Sequence, residues 1–311
     1  MSKEIVIITS FFSINREQWK GFQRSDQQYF EYFKDWACMR NRLIVYLQNE
    51  ELANEVRAYR ESIGLSDRTS IVVIPDFFDI DKELFEGINS ITSNSKSKLF
   101  RIKQRNPEVW NAPYNYIMTM KPWCGQDAVE RGLVSPDETL AWMDFGFNHC
   151  EVTYLKESNF DFLWEYDFPH KINFYSLKPL DDRPIFDIVN TLDTYLMGSV
   201  FVGPASMWKQ LWLIYRESMM ELIHCGLVDD DQTLMLMCVR KQPDMFTVTL
   251  SDWNMVLYEN GASHLLLKPK KPAKTAILAW FSRMNHKRRD MNIALKYLAR
   301  LFRYYLSFPL H

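Results

Sequence analysis

The first third of the chain alternates short, continuous apolar runs with longer amphipathic segments. The apolar runs are Ile5–Ser10, Leu43–Leu47 and Ile71–Pro75, and helices are predicted over Asp26–Met39 and Glu51–Ile63. Continuous runs rich in β-branched residues are typical of strands that are buried on both faces of a parallel sheet. The alternation therefore predicts an α/β fold, with a mostly parallel, Rossmann-like sheet flanked by helices.

The alternation of predicted strands and helices is less regular from residue 79 to residue 267. The segment over 79–105 is predicted to form short helical pieces and loop. The segment over 113–131 is predicted to be partly helical, and Pro122 is expected to interrupt it. The remaining helices are predicted over Ala205–Cys225 and from the acidic cluster Asp229–Asp231 onward. The remaining strands are predicted at Glu138–Met143, Lys171–Leu177, Ser199–Val202, Phe246–Leu250 and Asn254–Tyr258.

The C-terminal segment differs in charge from the rest. Residues 265–311 hold eleven of the 37 Lys and Arg residues but one of the 39 acids, so a basic tail follows an acidic body. Apolar residues recur at helical spacing on one face, and basic residues lie on the opposite face. The apolar positions are Met291, Ala294, Leu295, Leu298, Leu301, Phe302 and Tyr305, with a shorter stripe at Ile277, Trp280, Phe281 and Met284.

We therefore expect a main domain over 1–267 and a tail of basic amphipathic helices over 268–311. A basic, aromatic-bearing amphipathic helix is typical of an interfacial helix on an anionic membrane, and residues 273–308 are its predicted contact. A helix packed on the body with a solvated basic face explains the pattern equally well. Nucleic acid is a less suitable partner, because the body is acidic and no known reader motif occurs.

Composition narrows the class of protein. An apolar fraction of 47% is enough for a packed core and argues against disorder. Five Cys without a C-x-x-C pair favour reduced thiols over zinc or disulfides, and no signal peptide is apparent. We therefore expect a cytoplasmic protein. The chain also lacks G-x-G-x-x-G, P-loop and G-x-S-x-G motifs, which disfavours the corresponding enzyme classes.

Three features carry candidate chemistry. Asp144 directly follows a predicted strand, where ligands bind in open α/β sheets, although such an Asp is more often a turn or cap residue. Gly198 and Gly203 bracket a short strand, either for close approach of a ligand or as ordinary strand punctuation. Asp229–Asp231 begin a helix, where three adjacent acids either cap the helix or raise one another's pKa toward that of a general base.

In this order, the three features match the layout of GT-A glycosyltransferases. Three short segments carry a closer resemblance, namely Ile7–Arg16 (IITSFFSINR), Pro113-Tyr114-Asn115 with Lys121, and Trp142–Gly146 (WMDFG). In these segments the chain resembles the HtrL/YibB family of bacterial proteins, which look like GT-A enzymes. The resemblance spans roughly Ile5 to His264.

The resemblance implies roles for individual residues. The loop from Thr9 through Phe11 to Arg16 is expected to meet the nucleotide, with Arg16 on the diphosphate. Asn115 and Lys121 are expected to contact donor sugar or phosphate, near Trp142 and Gly203. Asp231 is the expected base that deprotonates the acceptor hydroxyl, with Asp230 as the competitor.

A divalent cation is also implied, either Mn²⁺ or Mg²⁺. Asp144 occupies the first position of the D-x-D motif, and His264 is a candidate ligand from the C-terminal side. Gly146 stands at the second position, where the usual pattern has another Asp. One carboxylate is a poor anchor for a cation, so metal dependence stays open.

The expected activity is therefore transfer of a hexose, galactose-type as a guess, from a UDP-sugar to a saccharide of a cell-surface polysaccharide or lipopolysaccharide. The enzyme is expected to be inverting and peripheral on the inner face of the plasma membrane. The alternative is a non-catalytic, membrane-peripheral protein that retains the GT-A fold, which the missing second Asp favours.

Overall fold

The structure is a computed structural model that describes residues 3–99, 101–149 and 153–269, together with separate helical positions between 284 and 306. Its strands are β1 (Lys3–Phe11), β2 (Leu43–Leu47), β3 (Thr69–Val73), β4 (Thr139–Met143), β5 (Glu165–Tyr166), β6 (Ile172–Ser176), β7 (Val200–Pro204) and β8 (Phe246–Leu250). Its helices are α1 (Asp26–Trp36), α2 (Glu50–Ser62), α3 (Lys82–Ser93), α4 (Pro107–Trp110), α5 (Ala112–Thr119), α6 (Lys121–Glu130), α7 (Ile185–Thr191), α8 (Trp208–His224), α9 (Asp231–Lys241) and α10 (Val256–Glu259).

The strands form one sheet in the order β3-β2-β1-β4-β7-β6-β8, and β5 pairs with the start of β1. The pairs β1–β2, β2–β3, β1–β4 and β6–β8 are parallel, whereas β7 runs antiparallel to both β4 and β6. The predicted α/β class, with a mostly parallel sheet flanked by helices, is confirmed.

The central strand β1 explains why the sequence shows continuous apolar runs. Val6 and Ile8 pack into one buried cluster, while Ile5 and Ile7 pack into a second. Successive side chains of a strand point to opposite faces, so both faces of the sheet are covered. Each side chain removed from water in this way contributes about 1.5–3 kcal/mol to the core.

Strand β7 brings together segments that are distant in the chain. Its first residue, Val200, pairs with Met143 at the end of β4, because the two strands are antiparallel. The amide of Asp144 donates to the carbonyl of Ser199 at 2.9 Å. The segment that enters β7 therefore lies beside the segment that leaves β4, at the carboxyl edge of β1 and β4.

Local signals set the helix boundaries. Ser25 and Gln28 form a reciprocal capping box at the start of α1. As predicted, Pro122 lies at a helix break, because α5 ends at Thr119 and Pro122 falls in the first turn of α6. The segment 79–105 is more regular than expected, since α3 is a helix of 12 residues that begins at the Asp81 cap.

The predicted strand Asn254–Tyr258 is wrong. This segment forms a turn at Asn254, whose φ is 57°, followed by the short helix α10. Val256 and Leu257 are adjacent, and both are buried. A short apolar run of this kind fits a buried helix as well as a buried strand, so periodicity does not distinguish the two.

The tail is described in part. Its described positions are helical, and the apolar side chains among them are exposed, with Met291 at 61% and Phe302 at 70% of their full accessible surface. The predicted upstream stripe at Ile277, Trp280 and Phe281 lies outside the described residues. Within the described part of the chain, no helix is long and apolar enough to cross a membrane.

Candidate active site

A cavity of about 470 Å³ opens at the carboxyl edge of β1 and β4. Its walls come from the loop after β1, the segment after β4, the segment before β7, and the start of α9. The structure thus brings together candidate residues that are distant from one another in the sequence. Those lining the cavity are Phe11, Arg16, Lys121, Trp142, Asp144, Gly146, Gly198, Asp230 and Asp231.

Two predicted donor-binding residues, Thr9 and Asn115, lie elsewhere. Thr9 is fully buried in β1, and its hydroxyl has no hydrogen-bond partner. Asn115 is also fully buried, and its amide donates to the carbonyls of Glu108 and Asn111. Thr9 therefore belongs to the buried sheet, while Asn115 joins α4 to α5.

Tyr114, which precedes Asn115 in α5, occupies the cavity position expected for Asn115. Tyr114 lines the cavity, and burial, followed by the charge of Asp230, raises the pKa of its hydroxyl well above the usual value. Neighbouring residues of a helix point about 100° apart, so one residue of this pair faces the cavity while the other faces the protein interior.

Gly203 and His264 are also away from the cavity. A Cβ atom at Gly203 would lie 2.4 Å from the Ile172 side chain, so this glycine permits close packing of β7 on β6. His264 is exposed and packs edge-on against Phe162, with ring centroids 4.6 Å apart. The structure therefore does not place His264 beside Asp144 as a metal ligand.

Lys121 occupies the centre of the acidic wall. Its side chain is 1% exposed, and its ammonium donates to Asp231 Oδ2 at 2.6 Å and to Gly198 O at 2.9 Å. Asp144 Oδ1 lies 2.7 Å from the same nitrogen and also accepts from the indole N–H of Trp142 at 2.7 Å. Burial alone would lower the pKa of Lys121, but the two carboxylates raise it above its usual value.

Gly198 makes this arrangement sterically possible. A Cβ atom built at Gly198 would lie 1.9 Å from Asp231 Oδ2 and 2.4 Å from its carboxyl carbon. The carboxylate of Asp231 therefore packs directly on the backbone before β7. Any other residue at position 198 would push Asp231 away from Lys121.

The three successive acids play different roles. Asp229 pairs with Arg101 at 2.9 Å and accepts from the Thr233 hydroxyl at 2.7 Å. Asp230 caps α9, since its Oδ1 accepts from the Gln232 amide. The capping interpretation therefore applies to Asp230, while Asp229 and Asp231 are each held by a buried basic side chain.

Asp230 has the electrostatic environment expected of a proton acceptor. Burial, followed by the charges of Asp231 and Asp229, raises its pKa well above the ordinary value. No salt bridge to Asp230 occurs among the residues that the structure describes, in contrast to its two neighbours. Of the three, Asp230 is the carboxyl group that combines a raised pKa with the absence of a salt bridge among the described residues.

The opposite wall is basic and aromatic. The Arg16 guanidinium donates to the Tyr29 hydroxyl at 2.6 Å, and Arg24 lies over the same ring, 6.0 Å from its centroid. Burial, followed by the charges of Arg24 and Arg16, lowers the pKa of His149 to about 4. Both guanidinium groups line the cavity, so this wall presents positive charge to a ligand.

Arg24, His149 and Trp253 line the cavity but were not candidates from the sequence. No motif marks them, because Arg24 lies in the loop before α1 and Trp253 comes from the loop after β8. Only the folding of these loops over the sheet edge brings them together. The signal that identified Arg16 was its place in a family block, which these residues lack.

A divalent cation finds few ligands here. Among the described residues, no group of three or more His, Cys, Asp or Glu side chains has the arrangement of a metal site. Asp144 is the acidic residue at the predicted position, and its Oδ1 is already held by Lys121 and Trp142. The side chains present therefore do not fit the cation site of Asp144 and His264 that the family resemblance implied.

Comparison with known proteins covers the part of the chain that forms the cavity. A family model described as "Bacterial protein of unknown function (HtrL_YibB)" matches residues 3–258. Protein HtrL of Escherichia coli (strain K12) is 30% identical over 267 residues, which cover 80% of this chain and 88% of that protein. The matched region contains every residue that lines the cavity.

Proposed function

The chain belongs to the HtrL/YibB family of bacterial proteins of unknown function, and from this cavity we propose that it is a glycosyltransferase of the GT-A type. The observation that carries the proposal is the division of the cavity into a basic wall and an acidic wall. Transfer of a sugar from a nucleotide donor needs both, because a diphosphate leaves on one side while a hydroxyl is deprotonated on the other.

The basic wall suits the diphosphate of the donor. Arg16 and Arg24 present planar guanidinium groups that match phosphate oxygens. Tyr29 lies between them and fixes Arg16 through its hydroxyl. His149 is uncharged in this environment and offers a neutral imidazole beside the arginines.

The acidic wall suits the acceptor. The proposed reaction is a direct displacement, in which a carboxylate takes the proton of the acceptor hydroxyl as its oxygen bonds to the anomeric carbon. The bond from that carbon to the diphosphate breaks with its electron pair, and the nucleoside diphosphate leaves. Asp230 is the preferred base, because Asp231 already holds Lys121. Inversion at the anomeric centre follows from a single displacement.

The aromatic residues of the cavity suit the base and sugar of the donor. Phe11, Tyr114 and Trp253 line it, and Trp253 is 40% exposed at its mouth. Flat apolar faces stack on a nucleobase and on a sugar ring. We propose a UDP-hexose of galactose type as the donor and a cell-surface polysaccharide or lipopolysaccharide as the acceptor.

The tail supports a location at the cytoplasmic face of the plasma membrane. Leu295, Leu298 and Phe302 are at least half exposed and recur at helical spacing. Arg288, Lys296 and Arg303 supply positive charge in the same segment. We propose that this helix lies on anionic lipid, with its apolar side chains in the interface.

A second candidate is a non-catalytic, membrane-peripheral protein with the same fold. The observation in its favour is that Lys121 already forms ion pairs with both Asp144 and Asp231. The free energy of this bridge would stabilise the fold whether or not a substrate binds. Binding of nucleotide sugars separates the two candidates.

Thermal shift with a panel of nucleotide sugars tests the proposal. We expect at least one UDP-sugar to raise the melting temperature, because a ligand that binds only the folded state stabilises it. Arg24→Ala should weaken the binding of that UDP-sugar by about 1.5–3 kcal/mol, or roughly tenfold to a hundredfold in affinity. Arg57→Ala is the matched control, since Arg57 is an exposed residue of α2 that pairs with Glu50.

The proposal is contradicted if no nucleotide sugar stabilises the protein. Equal weakening by Arg24→Ala and Arg57→Ala would instead place the nucleotide outside this cavity. The non-catalytic candidate predicts the first of these results.

A further inference from the structure

The ammonium group of Lys121 lies where two carboxylates from different parts of the chain converge. Asp144 follows β4, Asp231 begins α9, and Lys121 begins α6. Its nitrogen is 2.7 Å from Asp144 Oδ1 and 2.6 Å from Asp231 Oδ2. One buried cation therefore holds together the two acids that the sequence pattern associated with metal and catalysis.

This cation is fully coordinated. It donates hydrogen bonds to Asp231 Oδ2 and to the carbonyl of Gly198 at 2.9 Å, and it forms an ion pair with Asp144 Oδ1 at 2.7 Å. The side chain is 1% exposed. Its positive charge is therefore directed to the two carboxylates and the carbonyl, and it is held as a fixed part of the wall.

A divalent cation cannot share these oxygens with the ammonium. Mg²⁺ takes oxygen ligands at about 2.0–2.1 Å, closer than the N–O distances observed here. A metal between the same carboxylates would either displace Lys121 or lie directly beside it. Buried like charges at such distances repel strongly.

Position 146 offers no second carboxylate either. A Cβ atom built at Gly146 would lie 3.0 Å and 3.1 Å from two carbons of the Tyr29 ring, closer than an ordinary contact. Tyr29 is itself held by Arg16 through a hydrogen bond of 2.6 Å. An acidic side chain at position 146 would therefore displace a ring that positions the basic wall.

We propose that Lys121 replaces the divalent cation of this site, so that Asp144 and Asp231 are organised by an ammonium and ligands bind without metal. Lys121 is then a positioning residue, and the charge that faces a diphosphate comes from Arg16 and Arg24. Exclusion of a metal ion follows from the geometry around Lys121 alone. Binding of a nucleotide without metal rests, in addition, on the proposed glycosyltransferase function.

Titration of the full chain with Mn²⁺, followed by electron paramagnetic resonance of the free ion, tests metal exclusion directly. We expect wild-type protein and Asp144→Asn to bind Mn²⁺ equally, within about threefold in affinity. Asp244→Asn is the control, since Asp244 is exposed and distant from the cavity. Binding that Asp144→Asn weakens by more than this, while Asp244→Asn does not, overturns the proposal.

Calorimetric titration of the wild-type protein with UDP, in EDTA and in saturating Mn²⁺, tests the second part without any variant. We expect the two affinities to agree within about threefold. Tighter binding in Mn²⁺ by more than that overturns the proposal. Absence of UDP binding in both conditions counts against UDP as the donor nucleotide, while the Mn²⁺ titration still decides the role of Lys121.

Discussion

Replacing Lys121 with methionine removes the charge of the central ion pair while nearly preserving its volume. The change leaves Asp144, Asp231 and the Gly198 carbonyl without their shared donor. Removing one partner of a buried ion pair typically costs about 3–5 kcal/mol, because the remaining charge stays buried and uncompensated. The Asp144 side chain is 34% exposed, so solvent relieves part of the penalty and we expect the lower end of that range.

The matched control is Lys209→Met. Lys209 pairs with Glu130 at 3.8 Å, but its side chain is 69% exposed. An exposed pair of this kind contributes about 0–1 kcal/mol. The difference between the two variants therefore isolates the effect of burial from the effect of losing a lysine.

The penalty at position 121 should also depend on pH. The pKa of Lys121 is raised above its usual value, so its ammonium stays charged at all pH values below the usual pKa of lysine. Burial already raises the pKa of Asp231 despite Lys121, and removing the ammonium raises it further. In the variant, protonation of Asp231 removes its uncompensated buried charge as the pH falls, so the penalty should be larger at pH 8 than at pH 5.

Urea unfolding at both pH values measures these free energies. A loss below about 1 kcal/mol for Lys121→Met, equal to that of an exposed pair, would show that Lys121 does not form a buried bridge. A penalty that grows as the pH falls would contradict an ion pair between Lys121 and Asp231 in the wild-type protein.

Three further changes test other parts of the account. Asp230→Asn should raise the unfolding free energy at pH 8, because Asn also caps helices and the buried charge is removed. This gain in stability should fade as the pH falls toward 4. Lower stability of the variant than of the wild-type protein at pH 8 would contradict the raised pKa of Asp230. Gly198→Ala should cost about 1–3 kcal/mol in urea unfolding, because its Cβ would overlap the Asp231 carboxylate; an unchanged midpoint would mean that the two segments are not packed as described. Deletion of residues 273–311 should abolish sedimentation with vesicles that contain anionic lipid, whereas unchanged sedimentation would exclude the tail as the membrane contact.

Particular residues show how far the sequence predicts this fold. The strands β1 and β2 are predictable because residues such as Val6 and Ile7 are buried on opposite faces of the sheet, which leaves a continuous apolar run. Asp144 is a candidate because it directly follows the predicted strand Glu138–Met143. These are local signals, and local signals are what a sequence displays directly.

The contacts within the site could not be predicted in the same way. Lys121 and Asp231 are 110 residues apart in the chain, and they meet only because β7 is antiparallel to β4 and carries Gly198 to the sheet edge. The direction of β7 has no signature in its five residues. Asn115 and Tyr114 illustrate the same limit, since only the orientation of α5 decides which of them faces the cavity.

The most direct test of sugar transfer at this cavity is release of nucleoside diphosphate from nucleotide sugars, with a cell-envelope saccharide extract as acceptor. We expect release from at least one UDP-hexose by the wild-type protein and by the exposed-site control Asp244→Asn. Asp230→Asn should bind the same donor and release nothing, because the base of the acidic wall is missing. Equal release by Asp230→Asn and the wild-type protein, or no release from any donor that binds, would contradict the assignment of this cavity as a glycosyltransferase site.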